Sequence, residues 1–171
     1  MLFELSVIAI TVIFLLLLFK IDKNTLKHFF FAFIAVLLFE YFTQALWFNK
    51  SLEPWTYLYL DISWIITIGW AIIIVVGMKL VELYFPTMRE KKRFFLYLIF
   101  ITLAGLVAES VVLKQGIREY SSATLRIMSG VKIGNVPIEA LYYIPVFMTL
   151  VISFMKYMEM IFEKKAKKAT K

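Results

Sequence analysis

Apolar residues in this sequence form five long runs, which short polar stretches separate. The runs cover about residues 5–19, 29–48, 57–77, 94–113 and 136–155. Each is apolar on all sides, whereas a helix on the surface of a soluble bundle carries one polar face. At 1.5 Å per residue, such runs are typical of helices that cross the hydrocarbon layer of a bilayer. We therefore predict an all-α integral membrane protein, with about five transmembrane helices in one domain over residues 1–171.

The composition supports lipid as the solvent of these helices. Of the 171 residues, 62% are hydrophobic and 18% are aromatic, whereas a soluble domain is about 45–50% apolar. The chain has no cysteine and a single histidine, His28, which excludes disulfides, thiolate metal sites and His-cluster metal sites. The sequence also lacks a phosphate-binding glycine loop and a Ser/His/Asp set. We expect neither a cofactor nor a metal.

Basic residues concentrate in alternate connections between the runs. The first connection, the third connection and the C-terminal tail hold Lys20, Lys23, Lys27, Arg89, Lys91, Lys92, Arg93, Lys164, Lys165, Lys167, Lys168 and Lys171. By the positive-inside rule, the N-terminus lies outside and the C-terminus in the cytoplasm, in a plasma membrane. The net charge of +7 thus mostly reflects topology. The basic tail, residues 164–171, is expected to meet anionic lipid rather than nucleic acid, because it directly follows a helix.

Four acidic residues interrupt the apolar runs, although charges inside a membrane are rare and costly. In the predicted topology, Glu40 and Glu109 lie late in outward-running helices. Asp61 and Glu139 lie early in inward-running helices, so all four fall near the outer side. The positive end of a helix dipole explains an acid in the first turns, but it does not explain Glu40 and Glu109. These two are the stronger candidates for chemistry.

A structural role for the same two acids is the alternative. Lys114 and Arg118 follow the fourth run and are candidates to pair with Glu40 or Glu109. A carboxylate paired in this way would hold helices together without taking part in a reaction.

Polar and aromatic side chains accompany the acids along the sequence. They are Gln44, Tyr57, Trp64, Tyr142 and Tyr143. Trp and Tyr also gather at membrane interfaces because their rings are amphipathic. These side chains are therefore candidates either for a substrate-binding surface or for an interfacial belt.

The order of these elements repeats weakly along the chain. An acid, a loop with aromatic residues and a second acid before a helix occur from Glu40 to Asp61, and again from Glu109 to Glu139. A parallel duplication of a two-helix unit would produce this order and place a site at the interface between the units.

Residues 108–150 resemble the repeat unit of the small integral-membrane lycopene cyclases. In that unit an acid-bearing helix leads through a G-I-W-x-[YF] loop to a helix start of the pattern [IV]-P-[IL]-E-E-x-x-[FY]-[FY]. The matching residues here are Glu109, Gly116, Ile117, Tyr120, Gly134, Val136, Pro137, Ile138, Glu139, Tyr142 and Tyr143. Arg118 replaces the loop tryptophan of the family, and Ala140 replaces its second motif glutamate.

The resemblance implies a fold of two helical units and an activity that cyclises the ends of linear carotenoids without a redox change. It implies Glu109 and Glu139 as an acid/base pair, with Glu40 and Asp61 as their counterparts in the first unit. The aromatic side chains named above, with Gln44 beside them, would line the path of a carbocation. A carboxylic acid in apolar surroundings stays protonated at neutral pH and suits this chemistry, and aromatic rings stabilise cations.

Two other functions fit the same sequence. A non-catalytic helical subunit would pack within a homo-oligomer or a larger membrane complex, or hold a lipid or isoprenoid. A transporter or a proton pathway would use acids at matched depths, although mid-segment glycines, which help break helices in transporters, are limited to Gly69 and Gly105.

Overall fold

The computed structural model describes residues 1–169, and helices account for most of them. The long helices are α1 (Leu2–Ile21), α2 (Thr25–Thr43), α3 (Trp64–Tyr84), α4 (Glu90–Lys114) and α6 (Ala140–Ala169), with a short helix, α5 (Ser122–Ile127), before the last. In this part of the chain, five helices are long and apolar enough to cross a membrane. This confirms the prediction of a mostly helical protein with five helices long and apolar enough to span a membrane.

Four of the long helices form a closed ring, and the fifth packs outside it. Helix α2 contacts α3 and α6, and α4 contacts the same two helices from the other side. Helix α1 packs mainly on α3. Eleven of the 21 residues of α3 are buried, whereas α1 buries three of its 20. The apolar side chains of α1 therefore lie largely on the outside of the bundle, where lipid would cover them.

Two glycines let α3 and α4 approach closely. A Cβ atom added at Gly105 would lie 2.8 Å from Cζ3 of Trp70, and one at Gly77 would lie 2.5 Å from Cγ1 of Ile101. Real Cβ contacts of this length are essentially not found. Small residues at such crossings are the usual device for close packing of membrane helices.

We expect Gly105→Ala to destabilise the bundle, because the new methyl group overlaps the Trp70 ring. Overpacking of this kind costs about 1–3 kcal/mol, which exceeds the gain in helix propensity. Gly69→Ala is the matched control, since its Cβ would meet Val7 at an ordinary 3.6 Å. Thermal unfolding in detergent should rank Gly105→Ala below the wild type and Gly69→Ala at or above it. The reverse order would contradict this packing.

The connections at one end of the bundle form three short antiparallel strand pairs, and we call this the strand end. Strand β1 (Trp47–Asn49) pairs with β4 (Arg118–Tyr120). This strand pair joins the connection after α2 to the connection after α4. The hairpin of β2 (Tyr57–Tyr59) and β3 (Ile62–Ser63) precedes α3, and that of β5 (Lys132–Ile133) and β6 (Val136–Pro137) precedes α6. The strand end thus ties both halves of the ring together.

These hairpins correct two of the expected helix starts. The third helix begins at Trp64 rather than near Tyr57, because residues 57–63 pair as β2 and β3. The last helix begins at Ala140 rather than near Val136, because β6 takes up Val136 and Pro137. At its other end α6 extends to Ala169 and includes most of the predicted basic tail. Lys171 of that tail lies outside the described residues.

Candidate functional site

Two buried glutamates meet at a single buried arginine near the strand end. Arg118 Nη1 donates to Glu109 Oε2 over 3.2 Å, and Arg118 Nη2 lies 3.4 Å from Glu40 Oε1. The side chains of all three residues are 4% exposed or less. We call these three residues the carboxylate cluster. It brings α2, α4 and β4 together at one point.

The pairing of β1 with β4 places the arginine between the two acids. Asn49 lies nine residues after Glu40, and Arg118 lies nine residues after Glu109. Asn49 and Arg118 are directly opposed in the strand pair. Arg118 Nε donates to Asn49 Oδ1 over 3.0 Å, so the guanidinium faces both glutamates with its remaining N–H groups.

Hydroxyl groups occupy the carboxylate oxygens that Arg118 leaves free. Thr67 of α3 donates its hydroxyl to Glu40 Oε2 over 2.6 Å. Tyr120 of β4 donates its hydroxyl to Glu109 Oε1 over 2.9 Å, and the Tyr120 oxygen also contacts the Tyr143 hydroxyl of α6. Each carboxylate oxygen of the cluster therefore has a hydrogen-bonding neighbour, as a buried charge requires.

Charge and burial keep Arg118 a cation and Tyr120 a neutral donor. The carboxylates of Glu109 and Glu40 raise the pKa of Arg118 although burial acts to lower it, so the guanidinium stays charged. Burial, followed by the charge of Glu109, raises the pKa of Tyr120, which therefore stays a neutral donor. Two carboxylates facing one guanidinium carry a net negative charge in an apolar interior. One added proton would make the carboxylate cluster neutral.

An apolar cavity reaches the cluster from the Glu109 side. Its volume is about 230 Å³, and it lies between α1, α3 and α4. Glu109 and Trp70 form part of its wall. Ile10 and Val111 line it too and are 50% and 42% exposed, so the cavity opens on the outside of the bundle between α1 and α4. On the Glu40 side the free space is only about 10 Å³, which is at most the size of one water molecule.

The structure brings together only some of the acids that the sequence singled out. Glu40 and Glu109 meet, and the alternative expectation that they pair with Arg118 is confirmed. Glu139, the expected acid/base partner of Glu109, accepts from the Ser129 backbone N–H over 2.6 Å. That hydrogen bond lowers the pKa of Glu139 below its usual value.

Asp61 and its neighbours also lie apart from the cluster. Asp61 accepts a hydrogen bond from Gln44 over 2.9 Å. Trp64 donates its ring N–H to the Trp55 carbonyl, and the Tyr57 hydroxyl contacts the Asn49 carbonyl at 3.3 Å. These side chains brace the strand end rather than line the cavity.

Of the two adjacent tyrosines in α6, one joins the cluster and one does not. Tyr143 reaches it through the Tyr120 hydroxyl, whereas Tyr142 is 73% exposed on the outside of the bundle. Sequence reasoning did not assign a role to Tyr120, Asn49 or Thr67. The sequence does contain one regularity, the equal separation of nine residues from Glu40 to Asn49 and from Glu109 to Arg118, but its meaning depends on the pairing of β1 with β4.

Among the side chains that the structure describes, no group of three or more His, Asp or Glu is arranged to hold a metal ion. Comparison of the chain with protein-family models, with curated proteins and with solved structures finds no match. What the site does must therefore be inferred from its own side chains.

Proposed function

We propose that this protein binds the end of a long isoprenoid, such as a carotenoid, and isomerises or cyclises it by proton transfer from the carboxylate cluster. The observation that carries the proposal is the position of Glu109, which is a buried acid in the wall of an apolar cavity. A soluble metabolite would not partition into such a cavity, whereas an isoprenoid reaches it through the bilayer.

The size of the cavity fits one end of a long molecule rather than all of it. A volume of about 230 Å³ is below the ~300–1,000 Å³ of pockets that enclose a whole small ligand. Because the cavity opens between α1 and α4, the rest of the chain would extend into lipid. The proposed reaction is therefore confined to a terminal group.

The proton balance of such a reaction closes within the cluster. The protonated carboxyl of Glu109 gives its proton to a terminal C=C bond, which leaves a tertiary carbocation on the substrate. The electron pair of a neighbouring double bond closes the ring and moves the cation to a new carbon. Loss of a proton from the adjacent carbon to the Glu109 carboxylate forms the product double bond and restores the acid. No electron is gained or lost, so the reaction needs no redox partner.

The surroundings of Glu109 supply hydrogen-bond donors for the proposed proton transfer. Arg118 and Tyr120 donate to its two oxygens and stabilise the carboxylate that forms when the proton leaves. The Trp70 ring forms part of the cavity wall, and an aromatic face turned toward a carbocation would stabilise it by about 0.5–2 kcal/mol. Glu40 also faces Arg118, so the two acids and the guanidinium are neutral together when one acid holds a proton.

The proposed topology places the strand end on the outer side of a plasma membrane, because the basic connections lie at the opposite end of the bundle. The matched spacing of Glu40 with Asn49 and of Glu109 with Arg118 supports a parallel duplication of a two-helix unit.

A non-catalytic subunit is the second candidate, and the completeness of the cluster favours it. Both acids are already paired with Arg118 and hydroxyl donors, as they would be in a structural ion cluster. Such a subunit would need no substrate, and neither acid would be required for any reaction.

The test is pigment analysis of a lycopene-accumulating host that expresses the wild type, Glu109→Gln or Glu119→Gln. The Glu109→Gln variant keeps one carboxylate facing one guanidinium, so it should fold. Glu119 is the control because it is 54% exposed and pairs with Lys50 on the surface. We expect cyclised ends with the wild type and Glu119→Gln, and none with Glu109→Gln. Unchanged lycopene in a host with abundant folded wild type would reject lycopene as the substrate and favour the subunit.

A further inference from the structure

The hairpin of β2 and β3 at the strand end exposes apolar side chains at its tip. Leu58 is 55% exposed, Tyr59 is 57% exposed and Leu60 is 69% exposed. Single exposed apolar residues are normal on a protein surface. Three in succession form a patch, and an exposed apolar patch indicates a contact with a membrane or with another molecule.

The backbone at the tip makes the leucine there more informative. Leu60 has a φ of 47°, in the left-handed region that favours glycine or asparagine over a residue with a bulky side chain. A turn surrounded by water would be more stable with glycine or asparagine at this position. The leucine is therefore best explained by an apolar contact that its side chain makes outside the chain.

Polar side chains of the same hairpin face the bundle. Asp61 accepts a hydrogen bond from Gln44, just after α2, and its carbonyl accepts from the Asn49 side chain over 2.9 Å. Ser63, at the base of the hairpin, is fully buried. A hairpin in water turns its polar side chains outward, whereas polar groups that face the interior of the bundle and an apolar tip that faces out are typical of lipid surroundings.

The apolar patch of the hairpin continues the exposed side of α2. The ring of Tyr59 lies 6.3 Å from the ring of Tyr41, centroid to centroid. Tyr41 is 55% exposed and Phe42 is 79% exposed, both near the end of α2. Because α2 is long and apolar enough to cross a membrane, lipid would cover these two side chains. Tyrosine at a helix end is also typical of the boundary between lipid and water.

We infer that the tip of this hairpin, residues 58–60, inserts into the bilayer leaflet around the strand end, at the boundary between headgroups and acyl chains. The surface that covers the patch is lipid, and the hairpin anchors the strand end to it. This inference goes beyond the proposed reaction and does not rest on it, because the cavity beside Glu109 lies between α1, α3 and α4, whereas the patch borders α2.

The test measures the surroundings of the tip with single spin labels, which the absence of cysteine from the chain makes possible. Leu60→Cys and Leu58→Cys are each labelled and reconstituted in phosphatidylcholine vesicles. Collisions of the label with oxygen, which concentrates in lipid, are compared with collisions with a water-soluble nickel chelate. Glu119→Cys is the aqueous control at the same end, with a side chain 54% exposed. Phe14→Cys, on an exposed position of α1, is the lipid control.

We expect the ratio of oxygen to nickel collisions at both hairpin positions to be severalfold higher than at Glu119→Cys and lower than at Phe14→Cys. A ratio equal to that at Glu119→Cys would place the tip in water and overturn the inference. Immobile labels that collide rarely with either agent would mean that protein covers the tip, from a partner or a second copy of this chain, and would overturn it as well. None of these results depends on whether Glu109 acts on an isoprenoid.

Discussion

Arg118→Met should lower the free energy of unfolding by about 3–5 kcal/mol, the usual cost of removing one partner from a buried ion cluster. The variant leaves the carboxylates of Glu40 and Glu109 without the only cation within salt-bridge distance among the described residues. It also removes the donor to Asn49 that helps hold β1 against β4. Thermal or SDS unfolding in mixed micelles measures the effect, with helix content followed by circular dichroism.

Two further variants show whether charge balance is the cause. Lys50→Met removes a cation from an exposed pair with Glu119 at the same strand end, and such pairs contribute about 0–1 kcal/mol. The triple variant Glu40→Gln/Glu109→Gln/Arg118→Met contains no buried charge in the cluster and should recover most of the stability lost in Arg118→Met. Equal losses of unfolding free energy in Arg118→Met and Lys50→Met would show that the charges of the carboxylate cluster do not depend on one another for stability.

The number of long helices could be predicted because it depends only on runs of apolar residues. The starts of α3 and α6 at the strand end could not, because an apolar run does not distinguish a helix from a hairpin. Residues 57–63 continue the apolar run but pair as β2 and β3, with Leu60 at a φ of 47° in the turn. Tyr57, Tyr59 and Ile62 are aromatic or β-branched residues, which favour strands. Their presence is the sequence feature that indicates the hairpin.

The level of the site along the helices could be predicted, but its side-chain contacts could not. Counting along the helices placed Glu40 and Glu109 in one layer, and that layer contains the cluster. Glu139, the expected partner of Glu109, lies in the connection before α6 and accepts from the Ser129 N–H, a contact that an apolar run does not specify. The contact of Arg118 with Asn49 joins residues 69 positions apart, so it depends on the pairing of two connections that no local pattern specifies.

Lys79→Met should have the second largest effect on stability, at the end of the bundle opposite the strand end. Lys79 is 14% exposed, and its Nζ lies 2.7 Å from Asp22 Oδ2 and 2.8 Å from Glu82 Oε2. His28 of α2 also contacts Asp22, with its Nδ1 atom 3.7 Å from Asp22 Oδ2. Its Nε2 atom lies 2.9 Å from Glu159 Oε1 of α6. Lys79 therefore links α3 to the α1–α2 connection. We expect a loss of about 1–3 kcal/mol at neutral pH, between the values for exposed and fully buried pairs.

The pH dependence of Lys79→Met gives a separate readout of the same contact. Partial burial acts to raise the pKa of Asp22, but the Lys79 ammonium and the Asn24 N–H outweigh it and hold that pKa below its usual value. A carboxyl whose pKa is lower in the folded state stabilises the fold above its unfolded pKa and loses this contribution as pH falls through the folded pKa. Wild-type stability should therefore decline below about pH 4, the ordinary range of an aspartate, and the decline should be shallower in Lys79→Met.

Lys156→Met is the matched control for this end of the bundle. Lys156 contacts Glu90, whose side chain is 76% exposed, so its loss should cost less than about 1 kcal/mol and change the acid dependence less than Lys79→Met does. Acid-induced unfolding of all three proteins, followed by circular dichroism between about pH 7 and pH 2, makes the comparison. Because every other acid of the chain is common to them, the difference between the Lys79→Met and wild-type curves isolates the groups that Lys79 contacts. Curves that differ by a constant offset at all pH values would mean that Lys79 stabilises the fold by packing its aliphatic stem and not through Asp22.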